Sequence, residues 1–151
     1  RIYLDTNVFI EAFEGRRLLS QLVAELLLTH SNQDRQRFVT SELTLSELLV
    51  KPLEMNRNDL VQVYDNWTIT NPYLEVVPVV RDVLRDAATL RSRNKSLKLP
   101  DAIHLTTAVG TDCRYFLTGD TRILGQLGVD IAMLTEDNVR KLLELNSDDR
   151  C

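Results

Sequence analysis

Ile2-Tyr3-Leu4-Asp5-Thr6-Asn7-Val8-Phe9-Ile10 is the stretch on which the fold turns. An apolar run is followed at once by a carboxylate, a hydroxyl and an amide, and then by the amphipathic run Phe9-Ile10-Glu11-Ala12-Phe13. The pattern predicts a buried strand, a tight turn and a helix start, with Asp5 at the carboxyl end of the strand. In open parallel α/β sheets that end is where ligands bind. Two readings of the stretch stand side by side. Asp5 or Thr6 caps the helix by accepting backbone N–H bonds, or Asp5 belongs to a metal or phosphoryl site.

Outward from this stretch, strands and helices alternate. A short helix from Val8 stops at Gly15, and Arg16 to Thr29 is helical, with Leu18, Leu19, Leu22, Val23, Leu26 and Leu27 at helical spacing. Ser31 to Gln36 reads as a loop. Arg37–Ser41, Leu74–Val79, Arg114–Thr118 and Asp130–Leu134 are the further strands. The further helices are Glu42 to Lys51 (ended by Pro52), Asn58 to Thr68, Val80 to Arg93, Asp101 to Val109 (opened by Pro100) and Asp137 to Leu145 (capped by Thr135). This order predicts an α/β protein with a parallel sheet of about five strands covered on both faces. No repeat or linker divides the chain, so residues 1–151 read as one domain with a frayed tail from Asn146 to Cys151.

The 151 residues can bury one core. A net charge of −4 argues against a generic basic nucleic-acid binder, but not against a nuclease whose acidic site holds a cation. No apolar run approaches the roughly 20 residues of a membrane span. Two cysteines make no disulfide framework, so the expected compartment is a reducing cytoplasm, with Cys113 a buried apolar residue. The sequence starts at Arg1, and a few residues including the start Met are expected to precede it.

Four acids recur just after a strand or at a helix start: Asp5, Glu47, Asp101 and Asp120. In a parallel sheet these positions share one rim. Each alone has a plainer reading: a cap, a solvated helix residue, a first-turn acid, a turn residue. Four carboxylates brought together raise one another's pKa, and a divalent cation relieves the repulsion. Oxygen donors suit Mg²⁺ or Mn²⁺, whereas His30 and His104 stand in unrelated contexts and no cysteine pair is spaced for zinc.

Leu4-Asp5-Thr6-Asn7, Thr44-Leu45-Ser46-Glu47-Leu48, Leu99-Pro100-Asp101-Ala102-Ile103-His104 and Leu117-Thr118-Gly119-Asp120 together resemble the signature blocks of PIN-domain ribonucleases, most closely the VapC-type toxins of toxin–antitoxin pairs. The resemblance covers essentially the whole chain and implies a three-layer α/β/α PIN-like fold. It implies that Asp5, Glu47, Asp101 and Asp120 are catalytic metal-binding acids, supported by Asn7 and Thr118. It further implies Mg²⁺ or Mn²⁺ as cofactor, RNA as substrate, products with a 5′-phosphate and a 3′-hydroxyl, a homodimer, and an antitoxin partner. The fourth block departs most, because Asp120 stands in Thr-Gly-Asp-Thr-Arg.

Alternatives are a PIN nuclease of RNA processing without an antitoxin, a catalytically silent PIN binding module, and a phosphatase of the haloacid-dehalogenase type. The last wants a second Asp where Asn7 stands, and Asn7 cannot donate a titrating proton. His104 reads as a satisfied core residue or a support to the acids, His30 as a helix-end residue, and Tyr64 and Trp67 as core or interface. Arg16 and Arg17 read as solvated charges. Arg91, Arg93, Lys95 and Lys98, in and beside the loop before Asp101, and Arg122 after Asp120 are candidate RNA contacts. Neutralising the four loop residues is expected to weaken RNA binding and flatten its salt dependence. An unchanged salt slope in filter binding refutes that assignment.

Overall fold

A computed structural model describes residues 1–29, 36–123 and 128–145. The elements run β1 (Ile2–Leu4), α1 (Thr6–Glu14), α2 (Leu18–Thr29), β2 (Phe38–Ser41), α3 (Glu42–Glu54), α4 (Asn58–Trp67), β3 (Leu74–Val77), α5 (Arg81–Arg93), α6 (Leu99–Gly110), β4 (Tyr115–Thr118), β5 (Asp130–Met133) and α7 (Glu136–Glu144). The strands form one parallel sheet in the order β3-β2-β1-β4-β5. The expected three-layer α/β/α fold is present. The loop expected at Ser31–Gln36 lies, except for Gln36, outside the described residues, as do His30 and the tail from Asn146 to Cys151.

The alternation of each strand sorts the core into two layers. Ile2 and Leu4 of β1, Phe38 of β2, Leu117 of β4, and Leu74 and Val76 of β3 join one cluster with α1, α2, Leu48 of α3, Tyr64 of α4 and α7. Tyr3, Val39 and Phe116 point the other way, onto α5 and α6. Tyr3 stacks on Phe116 with ring centroids 5.0 Å apart. Tyr64 is wholly buried, with its hydroxyl donating to Glu14, so it serves the core. α6 is buried continuously from Ala102 to Ala108, which is why its sequence carries no clear polar face.

Two expected boundaries are corrected. Pro52 does not end α3; the helix runs through it to Glu54. Proline has no N–H for the carbonyl four residues back, but the rest of the last turn closes around it: Met55 N donates to Lys51 O at 3.0 Å. The stop is Asn56, at φ 54°. Its N–H donates to Leu53 O, and Arg57 N donates to Pro52 O, the paired bonds of a left-handed helix terminus. The strand expected to reach Val79 stops at Val77.

Gly15 ends α1 through close approach, since its φ of −73° is open to any residue. A Cβ there would stand 2.1 Å from Ser20 Oγ and 2.5 Å from the Glu11 carbonyl. Gly15→Ala is therefore expected to destabilise the fold by about 1–3 kcal/mol. A thermal melt checks this: the midpoint should fall by several degrees, and an unchanged midpoint would show that α1 and α2 separate freely.

Candidate active site

β1 and β4 lie side by side, and the chain order reverses between them, which is the switch point where open α/β sheets bind ligands. Parallel register pairs Leu4 with Leu117, so the next residues, Asp5 just past β1 and Thr118 at the end of β4, stand side by side. Asp5 N donates to Leu117 O at 3.1 Å. The Asp5 carboxylate, only 7% exposed, accepts from Thr6 N (2.8 Å), Thr118 Oγ1 (2.6 Å) and Asn7 Nδ2 (3.2 Å). It is thus both the helix cap and a member of the acidic rim, and the two readings of the opening stretch are compatible.

Asn7 and Thr118 tie both sides of the rim together. Asn7 Oδ1 accepts from Gly119 N at 2.7 Å, and Thr118 Oγ1 accepts from Asp120 N at 3.0 Å. They bring β4's outgoing turn against α1 without adding charge.

Glu47 projects from α3 towards α1 and α6. Its Oε2 accepts from Thr6 Oγ1 and lies 2.8 Å from His104 Nε2. Burial alone would raise this carboxyl, but the hydrogen bonds from His104 and Thr6 hold it below the usual range. Asp101, in the first turn of α6, has no hydrogen bond or ion pair among the described residues. Its carboxyl is pushed up by burial first, then by the charges of Asp5 and Asp120. Asp120 is gripped by its neighbour Arg122, with Nε at 2.9 Å from Oδ1 and Nη2 at 2.5 Å from Oδ2. That pairing holds the Asp120 carboxyl down at about 2.

All four acids therefore reach one rim. Among the described residues, however, no three His, Cys, Asp or Glu side chains converge into a ready-made metal cage. Glu47 is turned onto Thr6 and His104, and Asp120 onto Arg122. Asp5 is held by neutral donors alone, and Asp101, which feels its charge, has no direct partner among the described residues. Hard oxygen donors of this kind fit Mg²⁺, which typically takes one or two carboxylates and keeps several waters.

The basic candidates divide. Lys98, the residue before α6, adds to the positive charge that lowers Asp120. Arg122 is on the rim but occupied by Asp120. Arg91 donates to Leu97 O at 3.1 Å and so shapes the loop. Arg93 lines a cavity of about 590 Å³ between α5 and α6, with Asp86 and Thr106. Lys95 is exposed, with no ion pair among the described residues. Arg17, read from sequence as a solvated charge, is 68% exposed and paired bidentately with Glu11. It also lines a cleft of about 490 Å³ whose other walls include Asn7, Gly119 and Asp120.

Two contributors escape sequence reasoning. Thr6 reads there as a cap yet binds Glu47, and Tyr3 reads as a plain core residue yet hydrogen-bonds His104 at 2.7 Å. The only available signal is the spacing of His104, three residues beyond Asp101 on α6.

Known proteins share this fold. The family model described as the PIN domain matches residues 2–127. A Mycobacterium tuberculosis relative named Ribonuclease VapC23 is 33% identical over 104 residues, spanning 69% of this chain and 80% of the relative. Among solved structures, a toxin–antitoxin complex from Klebsiella pneumoniae aligns with a TM-score of 0.65 at 23% identity, over 90% of this chain and 99% of that one. Mycobacterium tuberculosis VapC20, titled a sarcin–ricin loop cleaving toxin, aligns at 0.66 and 15% identity, over 86% and 99%. The fold, the four blocks and the matched span together establish that the chain belongs to the PIN-domain family and, within it, resembles the VapC-type toxins.

Proposed function

We propose that this protein is a divalent-metal-dependent endoribonuclease of the VapC toxin kind. The observation that carries the proposal is Asp101. Its carboxylate has no hydrogen-bond or ion-pair partner among the described residues, and the negative charges of Asp5 and Asp120 reach it at the switch point. A bound cation is the simplest neutraliser of that field. The relative named a ribonuclease, at 33% identity, supports RNA as the substrate.

Asp5 and Asp101 would hold Mg²⁺ or Mn²⁺. The ion supplies, when bound, a water activated at neutral pH and a positive charge beside the scissile phosphate. The remaining roles fall to this chain's own groups. Thr118, Asn7 and the Thr6 N–H fix the Asp5 carboxylate and leave it little freedom to turn. Glu47, kept ionised by its donors, would complete the ion's shell or accept the proton of the attacking water, with Oε1 the oxygen left free for either role. Asp120 completes the acidic edge when Arg122 lets it go, and the released guanidinium can then meet a phosphate flanking the cut. Lys98 adds charge on the same side.

Cleavage by this route leaves a 5′-phosphate and a 3′-hydroxyl. The similarity to a toxin–antitoxin complex supports a cognate antitoxin as partner, and the family resemblance supports a homodimer.

Expression of the intact chain and of Asp5→Asn, followed by sequencing of RNA ends, tests the activity and identifies the target. Asp5→Asn and EDTA are each expected to lower cleavage by about 100-fold or more, with Mn²⁺ restoring the EDTA-treated protein. Full activity in EDTA or in folded Asp5→Asn overturns the metal mechanism.

A further inference from the structure

Tyr3, His104 and Glu47 form a hydrogen-bonded line from the sheet to the rim. Tyr3 Oη lies 2.7 Å from His104 Nδ1, and His104 Nε2 lies 2.8 Å from Glu47 Oε2. The first two side chains are 0% and 1% exposed. Tyr3 cannot swing away, because its ring is stacked on Phe116 at an interplanar angle of 12°. His104 is held by α6, whose neighbouring residues are all buried.

The direction of the line follows from its end. An ionised Glu47 only accepts, so the ring proton sits on Nε2. In the neutral ring Nδ1 is then an acceptor, and the Tyr3 hydroxyl donates to it; the protons are assigned from this network. Thr6 Oγ1 also donates to Oε2 of Glu47. Both donors thus converge on one oxygen, and Oε1 has no partner among the described residues. Asp5 Oδ1 stands 4.0 Å from the same His104 nitrogen, so the ring also separates the two carboxylates.

We propose that His104, locked in orientation by Tyr3, is a positioning residue that pins Oε2 of Glu47 and so presents Oε1 to the reaction at the rim. The role rests on the nuclease reading above. A histidine serving the core alone would spend both nitrogens on the core. This one spends one on a core tyrosine and the other on a rim acid, and the acid lies on a different helix, 57 residues away.

The test combines two measurements on the full chain. The first is ring ¹⁵N NMR of the metal-free protein, in which His30 and His104 are the only histidines and His30→Gln assigns the signals. His104 is expected as a fixed Nε2–H tautomer, and Glu47→Ala, which removes the acceptor, should release it into a mixture. A fixed Nδ1–H tautomer, or no change in Glu47→Ala, overturns the proposal.

The second is calorimetric titration with Mn²⁺, alongside kcat and KM for RNA. His104→Leu is expected to weaken Mn²⁺ binding about 10- to 100-fold and to lower kcat with little change in KM. His104→Gln, which keeps an N–H for Glu47, should recover most of the loss. His104→Leu added to Glu47→Gln should cost nothing further. Should His104→Leu fail to fold by circular dichroism, Tyr3→Phe, which deletes one oxygen and keeps the stack, is expected to weaken Mn²⁺ binding about tenfold. A folded His104→Leu, or Tyr3→Phe in its place, with wild-type affinity overturns this role alone. Equal damage in the Gln and Leu variants, or additive losses with Glu47→Gln, does the same. Wild-type protein that binds no Mn²⁺ overturns the metal reading and this role with it.

Discussion

A carboxylate can be buried at the end of a parallel strand only if donors meet it there, and Asp5 is met by three. One is its own next backbone N–H, one comes from α1, and one comes from β4. The last depends on register. Parallel pairing of Leu4 with Leu117 brings Thr118 beside Asp5, and a one-residue slip would bring Leu117 or Gly119, neither with a side-chain donor, to that place. The sheet register and the site are therefore one constraint. A chain that pairs β1 with β4 wrongly both buries the wrong residues and strands a charge, and an uncompensated buried charge is among the costliest errors a fold can make.

The four acids are compensated to different degrees. Asp5 is held by neutral donors, which keep its charge while fixing its direction. Glu47 is held by a hydroxyl and an imidazole from two other helices. Asp120 is neutralised locally, by a guanidinium two residues on, in an exposed pair that exchanges easily for another cation. Asp101 is left to the field of the others. This gradient leaves the centre of the rim with a carboxylate that no hydrogen bond or ion pair among the described residues engages, while the flanking acids stay ordered. Such an arrangement suits a protein that must attract a hard cation without collapsing in its absence.

Much of this was legible in the sequence. Strands alternating with helices announced a parallel sheet, and each acid stood directly after a strand or early in a helix, so that their common rim followed from topology. Pro52 misled because proline forbids only one hydrogen bond; the helix tolerated that loss in its last turn and waited for Asn56 to stop it. The Tyr3–His104 bond was illegible for a different reason. It joins residues 101 positions apart, and neither local spacing nor apolar periodicity records such a contact. Arg17 is the solvated charge read from sequence; what local reading could not record is its pairing with Glu11, six residues back across the close approach at Gly15.

What distinguishes His104 from the acids is that it belongs to both the core and the rim. Deleting a core histidine would ordinarily be a packing event, and deleting a rim acid a chemical one. Here the ring fills space between β1 and α6 and at the same time fixes which oxygen of Glu47 faces outward. Stability and chemistry are coupled through one rigid, polar side chain, so the orientation of an acid on α3 depends on a tyrosine inside the sheet. A leucine of similar size could fill the gap, but it could not tell Glu47 which way to point.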